Sequence, residues 1–292
     1  MHFTEPVYRH PYWPTWPLIE ITQGCSHNRC EFCTMYRDVR FGVQPIEVIE
    51  SDLDEIAQEV PRAKTIQLLS GDPLALPYSK LVQIMEKIHE YLPDIERVYA
   101  VCRVDNFRNK TVDELKRLHD LGLEEVSLGI ESGDDWTLDR VNKGYLAKDV
   151  AEQCAKLDEA GIKYWLTFMN GIAGREHSHD HAVHTAEVFN RCNPSTVYIT
   201  SLVLFPGTPL LADAERGAFD PLSEKNLLVE LRTFLEHLDA DCALVTHHTA
   251  SLNLSTPDFL RDKERILAAL DNVIENGDIE RLALKRRLKT GL

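Results

Sequence analysis

The chain is poor in several features that would decide its class at once. It has no apolar run approaching the ~20 residues needed to cross a bilayer, and no repeat, low-complexity tract or Gly/Ser linker. Residues 1–17 are rich in Pro, Tyr and Trp and lack the charged-then-apolar layout of a secretory signal, which predicts a cytoplasmic protein without a membrane anchor. Basic side chains are also short: 32 Lys and Arg stand against 47 Asp and Glu, a formal net charge of −15. Phosphate-backbone binding works by Lys and Arg displacing counterions, so this balance argues against a long nucleic acid as partner, although a local basic groove is compatible with it. The seven cysteines are too few for an oxidised secreted framework in 292 residues.

What is present is an α/β alternation. Short apolar runs at 18–22, 65–69, 97–101, 125–130, 164–169 and 196–203 read as strands, most of them apolar on both faces as in a parallel sheet covered by helices. Helical patterns at 45–59, 78–91, 111–121, 148–160 and 180–191 lie between them. Thr111 followed by Glu114 is a capping box, and Gly122 and Gly161 sit where helices should end. From 222 onward the pattern is mostly helical, near 224–238, 258–275 and 278–288. The expected organisation is an arm at 1–17, a partial (β/α)6 barrel at 18–212, and a helical C-terminal extension at 213–292 packed on the barrel.

Three cysteines crowd together as Cys25-Ser-His-Asn-Arg-Cys30-Glu-Phe-Cys33, directly after the first strand. In a β/α barrel the chemistry sits at the C-terminal ends of the strands, so this loop is where an active site belongs. Three thiolates can hold three irons of a cubane and leave the fourth iron open, whereas an electron-transfer ferredoxin closes it with a fourth cysteine. The next one here, Cys102, is some seventy residues away. Cys30 and Cys33 alone would also suit zinc or disulfide exchange, and His27 would complete a Cys3His set. Its place two residues after Cys25 is not the spacing of two separated ligand pairs, and Phe32 suits a cluster with an apolar lining. Cys102, Cys154, Cys192 and Cys242 read as small buried hydrophobes.

With these residues in view, the sequence resembles the radical S-adenosylmethionine (SAM) superfamily, whose usual C-x3-C-x2-C is one residue longer here. Ser70-Gly71-Asp72-Pro73 after the second strand is similar to that family's Gly-Gly-Glu-Pro loop. The stretch from Leu128 through Glu131-Ser132-Gly133 and Arg140 to Gly144 is similar to a segment of methylthiotransferases and oxygen-independent coproporphyrinogen oxidases. Asn170-Gly171-Ile-Ala-Gly174-Arg175-Glu176 and Phe205-Pro206-Gly207-Thr208-Pro209-Leu210 match two later turns, in order and each at a strand end. The resemblance covers 18–212. It implies a [4Fe-4S] cluster on Cys25, Cys30 and Cys33, and SAM held by Gly71 and Asp72 at its amino group, by Glu131 and Ser132 at its ribose or methionine portion, and by Arg140 at its carboxylate. Arg103 and Asp105 are further candidates for that pocket, or an ordinary strand-end ion pair. The implied activity is reductive cleavage of SAM to a 5′-deoxyadenosyl radical that abstracts hydrogen from a small-molecule substrate, with an electron donor such as flavodoxin or ferredoxin. The alternatives are a non-catalytic iron–sulfur carrier or maturation protein, and methylthiolation of RNA or protein.

Three other groups invite a role. His177, His179, His181 and His184 could bind a second metal, but read better as a polar turn and helix start with Ser178 or Asp180 as N-cap. His247, His248 and Thr249, ahead of Asn253, either touch substrate or form a solvated connection. Tyr12, Trp13 and Trp16 are expected to pack the N-terminal arm.

Overall fold

The computed structural model describes residues 1–4, 7–13, 15–246 and 250–288. In chain order the elements are β1 (Leu18–Glu20), the short strands β2 (Thr22–Gln23) and β3 (Gly42–Val43), α1 (Ile46–Glu59), β4 (Thr65–Leu69), α2 (Tyr78–Tyr91), β5 (Arg97–Cys102), α3 (Val112–Asp120) and β6 (Leu123–Glu131). They continue with α4 (Asp135–Arg140), α5 (Ala147–Ala160), β7 (Lys163–Asn170), α6 (Gly174–Phe189), β8 (Thr196–Ser201), α7 (Pro209–Glu215), α8 (Glu224–His237), β9 (Ala243–Thr246), α9 (Phe259–Asn276) and α10 (Ile279–Arg287). β2 and β3 pair antiparallel. The main sheet has the order β1-β4-β5-β6-β7-β8-β9, with ends at β1 and β9 as in a partial barrel. The pairings β1–β4, β4–β5, β5–β6, β7–β8 and β8–β9 are parallel. No helix among the described residues is long and apolar enough to cross a membrane.

The chain divides into two compact units. The first comprises Met1–Asn28, Met35–Gly129 and Ala155–Tyr164. β1 and β4 are buried on both faces, one apolar through Ile19, Ile66 and Leu68 and the other, against expectation, carrying the polar Glu20, Thr65 and Gln67. α1 contributes Ile49, Leu53 and Ile56 at helical spacing, and α2 contributes Leu81, Ile84, Met85 and Ile88. The capping box of α3 forms as expected: the Thr111 N–H donates to Glu114 Oε2 at 2.8 Å, and the Glu114 N–H donates to Thr111 Oγ1 at 3.2 Å. Gly122 and Gly161 follow α3 and α5 at φ +96° and +80°, a left-handed backbone that glycine adopts without steric cost. The arm packs through its rings. Trp13 is buried, stacked on His10 at 4.2 Å and edge-on to Tyr99 at 5.2 Å, while Trp16 lies 4.5 Å from Tyr99. Tyr12 takes no part in that burial and is 43% exposed.

The second unit comprises Arg29–Thr34, Ile130–Cys154 and Trp165–Leu292. Its core is aromatic: Phe168 of β7 lies face to face with Phe234 of α8 at 3.9 Å and with His181 of α6 at 4.9 Å. One expectation is corrected here, and one strand is added. α6 begins at Gly174, a turn and a half before the expected start, so Ser178 and Asp180 lie inside the helix, where neither caps it. Polar residues fill its first turns, and its buried face includes a histidine, which blurs the apolar period. The C-terminal region, expected to be mostly helical, also supplies β9, a four-residue strand that pairs in parallel with β8.

Candidate functional site

In the first unit, the loop bearing Cys25 is tied to the loop that follows β4. The Gly24 carbonyl accepts the Gly71 N–H at 3.2 Å and the Ser70 hydroxyl at 3.0 Å. Ser70 holds φ +91°, a left-handed conformation unusual for a residue with a Cβ. A Cβ on Gly71 would lie 2.6 Å from the Tyr36 ring, so only glycine lets this backbone come so close. Asp72 is fully buried. Its Oδ2 accepts the Ser26 hydroxyl, while its Oδ1 has no hydrogen-bond partner among the described residues. Burial raises the Asp72 carboxyl above its ordinary value, and the Ser26 bond and the Arg103 charge pull against that. Burial likewise raises the Cys25 thiol; the Asn28 N–H opposes this, the Asp72 charge adds to it, and the His27 N–H and Arg103 oppose it. The longer first cysteine interval turns through Asn28 at φ 45°, whose side-chain amide donates to the Tyr36 carbonyl at 2.6 Å. Arg103 and Asp105 form a bidentate pair, Nε to Oδ1 at 2.9 Å and Nη2 to Oδ2 at 3.1 Å. Hydrogen bonds of Gly24 and Ser26 thus tie the two neighbours of Cys25 to the loop of Gly71 and Asp72, and Arg103 contributes its charge toward Asp72.

In the second unit, Cys30 and Cys33 share a turn, the Cys33 N–H donating to the Cys30 carbonyl at 3.3 Å. Between them Glu31 ties the turn down: its N–H donates to the Val141 carbonyl at 2.9 Å, and its carbonyl accepts the Leu210 N–H at 3.1 Å. Arg140 already has carboxylate partners from the chain, Asp213 and, at 3.5 Å, Glu31. Glu131 is buried at φ +71°; Lys143 lies 3.2 Å from its Oε1, and its Oε2 has no partner among the described residues. The Lys143 ammonium also stands 5.7 Å from the Phe32 ring centroid. The Ser132 hydroxyl turns inward, 2.8 Å from His181 Nδ1 and accepting the Asp134 N–H at 3.0 Å. The sequence does not mark Lys143 or Asp213 as part of the site, and it offers His181 only as a member of a possible metal-binding group. Lys143 lies inside the family-like segment, but nothing local signals that His181 and Asp213 fold onto it.

The histidine group does not converge. His177 stacks on Trp136 at 3.5 Å, His179 is exposed, His181 is buried, and His184 pairs with Asp134 at 2.8 Å. Among the described residues no three His, Cys, Asp or Glu side chains meet where one metal ion could sit. Thiolates of a four-iron cluster each take a different iron and share no such point. Cys102, Cys154, Cys192 and Cys242 are all buried, and burial pushes the Cys242 thiol up to about 12. His247, His248 and Thr249 lie outside the described residues. Asn253 serves a turn, its Oδ1 accepting the Thr246 hydroxyl at 3.1 Å and the Ser255 N–H at 3.1 Å.

The heme chaperone HemW of Bacillus subtilis is 24% identical over 168 residues, 54% of this chain and 44% of that protein, so the chain spans less than half of that relative. Among solved structures, the methyltransferase TsrM of Kitasatospora setae, with cobalamin and a [4Fe-4S] cluster bound, gives a TM-score of 0.56 at 17% identity, covering 70% of this chain and 37% of TsrM. Coproporphyrinogen III oxidase HemN of Escherichia coli, a radical SAM enzyme, gives 0.55 at 17% identity, covering 77% of this chain and 54% of HemN. At such identities the likeness speaks for the fold alone. The model of the Radical SAM superfamily matches residues 19–189, more than half the chain, and the protein belongs to that superfamily.

Proposed function

We propose that the protein is a radical SAM enzyme in which Cys25, Cys30 and Cys33 hold a [4Fe-4S] cluster with one open iron. The observation that carries this reading is a pair of buried carboxylates with idle acceptors, at the two loops where the sequence resembles the family's SAM contacts. Asp72 Oδ1 and Glu131 Oε2 are both without donors among the described residues, and an unsatisfied buried acceptor costs about 1–3 kcal/mol. SAM brings the missing donors, an α-ammonium for Asp72 and ribose hydroxyls for Glu131. Gly71 keeps the backbone open beside the ammonium, and Arg103 offsets the negative charge near Asp72. Arg140, oriented by Asp213 and Glu31, is assigned to the SAM carboxylate. Held by Cys25, Cys30 and Cys33, a cluster would supply one-electron reduction of SAM, with the electron drawn from a flavodoxin or ferredoxin, so that SAM would part into methionine and a 5′-deoxyadenosyl radical able to take a hydrogen atom from substrate. Residues 18–212 carry this chemistry, and 213–292 contribute to reading a small-molecule substrate.

Anaerobic reconstitution tests the reading. The wild-type chain should take up about four irons and turn brown, and after reduction with dithionite it should release 5′-deoxyadenosine from SAM. Cys30→Ala should lose both properties. Stoichiometric zinc without iron uptake would overturn the proposal. A second reading, set beside the likeness to a heme chaperone, is a carrier that binds the cluster without consuming SAM; its expected result is iron uptake with no 5′-deoxyadenosine above background.

A further inference from the structure

The histidine-rich helix α6 has no part in the function so far, yet three of its residues grip the turn that follows Glu131. Ser132 is fully buried with its hydroxyl against His181 Nδ1 at 2.8 Å. Gly133 donates its N–H to Thr185 Oγ1 at 2.8 Å, and the Thr185 hydroxyl donates to the His181 carbonyl. Asp134, N-cap of α4, is held by His184 Nδ1 at 2.8 Å. The spacing 181, 184 and 185 puts all three on one helix face. The fit is tight, since a Cβ on Gly133 would lie 2.8 Å from Thr185 Cα and 2.9 Å from Val188 Cβ.

The direction of the hydrogen bonds follows from chemistry. The His181 ring is buried against Phe168, and its Nε2 lies 3.3 Å from the Met169 carbonyl, which only accepts. A neutral imidazole that donates from Nε2 must accept at Nδ1. The Ser132 hydroxyl therefore donates to His181, and its lone pair receives the Asp134 N–H at 3.0 Å. A directed chain runs from the turn through Ser132 and His181 to the end of β7. It is anchored one residue after Glu131, whose φ of +71° is a conformation that persists only where the surroundings enforce it.

We propose that His181 is a positioning residue for SAM. Through Ser132 it holds the turn that follows Glu131, and so the left-handed backbone of Glu131 itself, in the arrangement that leaves Glu131 Oε2 available to a ribose hydroxyl. The proposal rests on the assignment of Glu131 to SAM made above, and the test separates the two.

The full chain, reconstituted anaerobically, is titrated with radiolabelled SAM by equilibrium dialysis. Amide exchange at Gly133 and Asp134 is measured in parallel on the cluster-free chain. His181→Phe keeps the ring stack but cannot accept from Ser132, and Ser132→Ala removes the donor. Each should weaken SAM binding by ~10-fold and speed exchange at Asp134, and the double variant should be no worse than either single one, because both cut the same link. His181→Asn, whose Oδ1 can take the Ser132 hydroxyl, should restore binding to within ~3-fold of wild type. A merely structural histidine would show no such rescue. Wild-type affinity in Ser132→Ala, or multiplying losses in the double variant, overturns the proposal even if His181→Phe fails to fold. If the wild-type chain binds no SAM, the assignment of Glu131 falls, and with it the role of His181; unchanged exchange at Asp134 in Ser132→Ala would refute the clamp alone.

Discussion

Replacing Glu230 by glutamine should flatten the dependence of stability on pH above pH 6.5. Glu230 of α8 is 1% exposed; its Oε1 accepts the Gly171 N–H, and its Oε2 has no partner among the described residues. Burial pushes its carboxyl up from 4.5 to about 8, with the Ser178 and Gly171 bonds pulling weakly the other way. The folded chain thus keeps a proton that the unfolded chain releases above pH 4.5. Stability from this group is complete below pH 4.5 and is lost as pH rises toward 8, at about 1.4 kcal/mol per unit. His181, 4.0 Å away, is pushed down by burial from 6.5 to about 4, so its contribution is lost as pH falls from 6.5 toward 4. The two trends oppose each other between 4.5 and 6.5, and His181 is silent above 6.5. From pH 6.5 to 8 Glu230 alone should therefore cost the wild type about 2 kcal/mol that Glu230→Gln does not lose. His184, raised by Asp134, also titrates in this range but does so in both proteins. Urea unfolding of both chains at pH 6.5 and 8.0, with the midpoints compared at a common slope, measures the difference directly. Equal midpoint shifts in the two proteins would show that Glu230 is ionised in the folded state, and would refute the reasoning.

At Ser70, where φ is +91°, the usual substitution order should invert: Ser70→Gly, which relieves the backbone but forfeits the Gly24 hydrogen bond, stays within about 1 kcal/mol of wild type, and Ser70→Ala falls about 1–2 kcal/mol below it, as read from urea midpoints. Gly71→Ala puts a methyl 2.6 Å from the Tyr36 ring, so the Asp72 loop must move; SAM binding should weaken by ~10-fold or more, and adding Tyr36→Leu should recover part of it in a dialysis assay. Gly133→Ala meets the backbone of α6 and should destabilise the fold by about 1–3 kcal/mol in the same urea assay.

Local chemistry made much of the architecture legible. The strand at 65–69 and the helix at 78–91 coincide with β4 and α2, because continuous apolar runs and a 3.6-residue apolar period are properties of short windows. The α3 capping box is equally local. β9 was hidden because four residues leave too short a pattern to separate a strand from the helical stretches around it. The polar first turns of α6 mask its period, although His181, Ala182, Thr185 and Ala186 are buried.

The order of the loops, each closing a strand, was enough to identify the superfamily and to nominate Cys25, Cys30, Cys33, Gly71, Asp72, Glu131 and Arg140, since motif residues and their spacing are written along the chain. What those residues meet depends on positions far away in sequence. Arg140 finds Asp213, Ser132 finds His181, and Ser26 finds Asp72 across separations of 73, 49 and 46 residues. Burial, which pushes Glu230 up and His181 down, arises only when helices close over the sheet and exclude water. The sequence by itself determined which chemistry the loops can carry; the tertiary structure decided which acceptors are left idle and which side chains hold the loops in shape, because desolvation and long-range hydrogen bonding exist only in the folded chain.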